Sequence, residues 1–82
     1  MQKNQEQKPT LYVYMVEATN DRGMRGQYPL CIPDFDELTA RRWIIHHFMK
    51  HKWRCLNLKR IYNADDIPEH IPIMQHKPGA DD

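Results

Sequence analysis

Serine is missing from all 82 residues, which removes serine-based nucleophilic chemistry. Cysteine is nearly as scarce. Cys31 and Cys55 each stand in an apolar, strand-like run, with no C-x-x-C pair and without the electropositive, partly exposed setting that favours a thiolate. Unpaired thiols in such runs behave as small buried hydrophobes, and a disulfide between neighbouring strands is the alternative. No run of eighteen apolar residues exists to span a bilayer, and the opening MQKNQEQKP lacks the apolar stretch of a secretory signal. A cytoplasmic location and no membrane partner are therefore expected. Glycine numbers only three, and Gly23 and Gly26 in GMRG match no phosphate loop.

The most informative absence is that of acids between residues 41 and 60. That stretch carries Arg41, Arg42, Lys50, Lys52, Arg54, Lys59 and Arg60, a charge of +7 in twenty residues. Residues 63–82 carry Asp65, Asp66, Glu69, Asp81 and Asp82 against Lys77, which sums to −4 and helps return the whole chain to +1. Charge is thus sorted along the chain rather than mixed.

What is present reads as one small α+β domain. Residues 1–9 are polar without apolar periodicity and are expected to be disordered, as is the acidic tail at 75–82, leaving 10–74 as the domain. The run LYVYMVEA at 11–18 alternates as a strand, with Leu11, Val13 and Met15 on one face and Tyr12, Tyr14 and Val16 on the other. Turn formers fill 19–26, and a second strand follows from Gln27 to Ile32, assigned to a sheet edge because Pro29 lacks an amide donor. Pro33-Asp34-Phe35-Asp36-Glu37 is a helix start, with Asp34 as the cap, and the helix extends to about His51. Its core stripe is read as Phe35, Leu38, Ile45, Phe48 and Met49, which turns Trp43, His46, His47 and Lys50 outward. Trp53 to Tyr62 returns to period two as a third strand, and IPEHIPIM, with two Ile-Pro steps, is an extended strap.

These elements predict a ββαβ sheet of order 2-1-3 with one helix on one face. The helix is expected to cover Leu11, Val13, Met15, Leu30, Ile32, Leu56 and Leu58, leaving Tyr12, Tyr14 and Trp53 on an open aromatic face. So small a core predicts modest stability or help from dimerisation.

Cations interleaved with tryptophan are what a nucleic-acid surface needs, since cations neutralise phosphates and rings stack on bases. The leading expectation is a non-enzymatic module that docks on a polyanion, nucleic acid foremost, through Arg41, Arg42, Trp43, His46, Lys50, Lys52, Arg54 and Lys59. The alternative is a protein-interaction module, such as an adaptor, regulatory subunit or inhibitor of a larger enzyme. It would use Trp43 and the open face bearing Tyr12, Tyr14 and Trp53, with a homodimer as one form. His47 and His51 sit four apart with Cys55 four further on, but a structural zinc needs four ligands, so no metal, cofactor or small-molecule substrate is expected. Asp34, Asp36 and Glu37 are read as helix-capping acids, and Asp65, Asp66 and Glu69 as a turn and a solvated tail. No catalytic pair remains.

Overall fold

A computed structural model of the chain describes residues 8–79. The elements follow the order β1 (Thr10–Asn20), β2 (Arg25–Asp34), α1 (Glu37–Lys50), β3 (Trp53–Arg60) and a short 3-10 turn, η1 (Ala64–Asp66). The three strands form one antiparallel sheet in the order β2-β1-β3, with the helix between β2 and β3 in sequence. This is the ββαβ topology the sequence predicts. The expected disorder of 1–9 and 75–82 concerns, for residues 1–7 and 80–82, segments outside the described ones.

The hairpin closes through Asn20. Its side-chain oxygen accepts the amides of Arg22 and Met24, each at 3.0 Å, while Gly23 takes φ +81°, a left-handed conformation that glycine reaches without steric cost. The closure pairs Thr19 with Arg25, and from there Val16 with Tyr28, Tyr14 with Leu30 and Tyr12 with Ile32. Even-numbered residues of β1 therefore share a face with even-numbered residues of β2.

That register overturns the expected faces. The core consists of Tyr12, Tyr14, Val16, Ala18, Leu30 and Ile32 under Ala40, Trp43 and Ile44 of the helix. Tyr12 and Tyr14 are buried beneath α1, and Leu11, Val13 and Met15 lie on the side without a helix. On β3 a bulge at Leu56 shifts the pairing between Glu17 and Ala18, so that Trp53 and Cys55 share the helix side with Leu58 and Arg60. Trp53 is thus packed against the core. Leu56 is exposed, and Arg54 leaves on the open side opposite Thr19.

The helix is also turned from its expected phase. Trp43 is 9 % exposed, whereas Leu38, Ile45 and Met49 are 58 %, 36 % and 60 % exposed. Phe35, ahead of the first turn, is exposed as well. Asp36, not Asp34, caps the helix: its carboxylate accepts the amides of Leu38 and Thr39, and the Thr39 hydroxyl also donates to it. These contacts, the hydroxyl foremost, hold the Asp36 carboxyl below its usual range.

Asp34 is instead fully buried at the end of β2. One carboxylate oxygen accepts the amides of Phe35 at 2.7 Å and Gly79 at 3.1 Å, and the other meets His76 Nε2 at 2.6 Å. His76 is itself buried against Trp43, with ring centroids 4.9 Å apart. The strap between is held at the edge of β2 by the Cys31 amide donating to Pro72 and the Met74 amide donating to Cys31. The strap so lies along the β2 edge. Cys31, opposite Val13, and Cys55, opposite Ala18, fall on opposite faces of the sheet and remain free thiols.

Replacing His76 by Ala should cost about 3 kcal/mol, because it removes a buried ring and leaves one buried Asp34 oxygen without its hydrogen-bond partner. Urea denaturation measures this loss, and adding Asp34→Asn to the variant should restore part of it. A loss below about 0.5 kcal/mol, the level of an ordinary surface substitution, would contradict a latch at this point.

Candidate functional site

The cations of 41–60 separate into three groups. Arg41 and Arg60 face inward. Arg60 donates to Glu37 at 2.9 Å and lies between the rings of Tyr12 and Tyr62, 4.7 and 4.5 Å from their centroids. Arg41 reaches the Leu58 carbonyl at 3.5 Å and the ring of Tyr14 at 5.9 Å. Glu37 also accepts from the Tyr14 hydroxyl at 3.1 Å, so these side chains tie α1 to the sheet rather than await a ligand.

A second group lies off the helix. Lys52 and Arg54 border a hollow that also contains Asp21, and Lys59 borders another shared with Glu17 and Asp66. Acids therefore interrupt the positive surface around both. Lys52 adopts φ +69°, directly after the His51 cap, with its amide bonded to Met49 at 3.0 Å. A left-handed residue at this place ends the helix and is ordinarily glycine.

The third group is the outward face of α1. Arg42, His46 and Lys50 follow one another at intervals of four and are all exposed. Beside them, in the same outward sector, run Leu38, Ile45 and Met49, with Arg42 between Leu38 and Ile45 along the ridge. Glu37, the single acid of the helix, points away toward Arg60. The helix thus shows solvent an apolar ridge flanked by cations, with the exposed Asp36 cap beside Arg42 as the acid at its N-terminal end.

Of the residues expected to form a binding site, Arg42, His46 and Lys50 share this face, Lys52, Arg54 and Lys59 are dispersed, and Arg41 and Trp43 are engaged within the fold. Tyr12, Tyr14 and Trp53 do not form an open face. Periodicity places Leu38, Ile45 and Met49 in the core; the signal that sets them outside is the small residue Ala40, which permits close approach of helix and sheet. Among the described residues no three His, Cys, Asp or Glu side chains converge as a metal set, and no helix is long and apolar enough to cross a membrane. Comparison with known proteins finds no matching family model, curated protein or solved structure.

Two outcomes test this division. Burial, and then the Glu37 carboxylate, push the Tyr14 phenol above its ordinary value of 10. Its contribution to stability is then complete below pH 10 and lost as pH climbs from there through the raised value. Spectrophotometric titration should show one of the four tyrosines ionising late, and Tyr14→Phe should remove that step. Lys52→Gly should raise stability by about 0.5–1 kcal/mol by relieving the left-handed backbone, as read by thermal unfolding.

Proposed function

We propose that this chain is a non-enzymatic protein-interaction module whose docking element is the outer face of α1. The observation that carries the reading is the placement of Leu38, Ile45 and Met49 in solvent, in one row, with Arg42 among them. These three large apolar side chains keep between 36 % and 60 % of their surface in water. They gain on entering an apolar groove, and the helix-in-groove mode takes anchors at such spacing. The partner is a protein whose groove has an apolar floor and carboxylates on its rim, complementary to Arg42, His46 and Lys50.

A regulatory or adaptor role suits a domain this small, since the docking face runs from Leu38 to Lys50 along most of α1. Burial pushes both cysteine thiols up, which disfavours thiolate chemistry. Polyanion docking through the Arg42, His46 and Lys50 row is the second reading. Phosphates would be met by those cations but would leave Leu38, Ile45 and Met49 unburied, so it explains half of the face.

A photo-crosslinking residue placed at Ile45, and separately at Gln27 on the other side of the sheet, tests the proposal in the cells that make the protein. One stoichiometric protein adduct is expected from Ile45 and none from Gln27, and Arg42→Glu should cut its yield about tenfold. A nuclease-sensitive adduct would favour the polyanion reading. Equal background from both positions would end both. With the crosslinking residue kept at Ile45, the double change of Leu38 and Met49 to Ser should abolish the adduct while costing roughly 0.5 kcal/mol or less per site.

A further inference from the structure

A cavity of about 330 Å³ opens between the C-terminal turn of α1, the start of β3, the middle of β2 and the strap. It shares no residue with the ridge of Leu38, Ile45 and Met49, so it stands apart from the docking face. Its walls are rings and apolar side chains. Tyr28 and Trp53 meet at one side with centroids 5.5 Å apart and planes at 80°, so an incoming flat ring can stack on one and present itself edge-on to the other. Phe48 supplies another ring from the helix, and Pro72 and Met74 close the wall on the strap side.

Among the described residues no Asp, Glu, Lys or Arg borders the cavity, and the polar residues of its lining are His47, His51 and Tyr28. An ion entering would lose hydration without a counter-charge to replace it. The volume lies near the lower end for ligand sites, room for one small molecule rather than a nucleotide or a cofactor.

The wall is held in place from within the fold. Met74 and Pro72 are fastened to Cys31 by two backbone hydrogen bonds, and His76, two residues on, is fixed by Asp34. A column of rings runs from the latch to the cavity: His76 against Trp43 at 4.9 Å, Trp43 against His47 at 4.7 Å, and His47 against His51 at 4.8 Å. The cavity is therefore formed before any ligand arrives, and the cost of ordering its walls is met by folding.

We propose that this cavity is a binding site for a small uncharged planar aromatic molecule of one or two fused rings, seated against Tyr28, Trp53 and Phe48. The test is a titration of the purified full chain with indole, followed by NMR at the Trp53 indole N–H and the Met74 methyl. Benzoate, tetramethylammonium and cyclohexanol serve as the anionic, cationic and non-planar controls. Saturable shifts are expected with indole alone, with a Kd on the order of 1 mM for so small a ligand. Met74→Trp, which places a ring into the cavity from the strap, should weaken indole at least tenfold while leaving the sheet amides unshifted. Trp53→Ala should weaken it too, if that variant folds. Shifts linear in indole, saturation by any control at equal concentration, or unchanged affinity in Met74→Trp would overturn the proposal.

Discussion

The parity of the β1–β2 register governs the rest of this structure. Asn20 closes the hairpin on the amides of Arg22 and Met24, and the closure sets Thr19 opposite Arg25. Because side chains alternate, that single pairing commits Tyr12, Tyr14, Val16 and Ala18 to the same side as Leu30 and Ile32. A slip of one residue would put Leu11, Val13 and Met15 with Leu30 and Ile32 instead, and every inward residue of β1 would change. Both arrangements bury apolar surface. Only the observed one places the Tyr14 hydroxyl where it can reach a helix carboxylate.

From that register the orientation of the helix follows. Glu37 accepts from Tyr14 and Arg60 together, binding the first turn of α1 to the central strand and to β3. Ala40 then lies close over the sheet with Trp43 and Ile44 beside it. Trp43 meets the strap through His76, whose partner Asp34 ends β2. Hairpin, helix and strap are thereby joined through one buried polar pair and one buried tryptophan. Substituting aliphatic residues at His76 and Asp34 would preserve burial but would lose the directional bond that locates residue 76.

Strand number, strand order and the single helix were legible in the sequence because each rests on local signals: LYVYMVEA, the edge-marking Pro29, the acids before the helix. The faces were not. Alternation in β1 offers two apolar sets of similar size, so the choice between them belongs to the turn, where the deciding contact is the Asn20 side chain folding back on its own loop. In β3 strict alternation separates Trp53 from Leu58, and one extra residue at Leu56 brings them together. In α1 apolar residues occur all round the helix, so periodicity alone cannot tell the stripe of Ala40, Trp43 and Ile44 from that of Leu38, Ile45 and Met49. The candidate cations suffered most. Linear charge density counted Arg41 and Arg60 as available, whereas aromatic rings, a carbonyl and Glu37 engage them inside the fold.

Rotating α1 by half a turn would bury the exposed part of Leu38, Ile45 and Met49, a fraction of the roughly 1.5–3 kcal/mol that complete burial of each is worth. It would also expose Trp43 and Ile44, take Glu37 from Tyr14 and Arg60, and leave His76 without its ring partner. The observed orientation is therefore the better for the folded chain on its own, and the outward ridge is the remainder that this small core cannot accommodate. Such a remainder needs no function to exist. What distinguishes this one is its setting: the one acid within α1 is turned inward, Arg42, His46 and Lys50 border the ridge, and the acid beside Arg42 is the Asp36 cap. A ridge that served only solubility would mix both signs of charge and break the apolar row. Leu38, Ile45 and Met49 instead stay exposed around Arg42, and on that placement the proposed docking to an apolar, acid-rimmed partner rests.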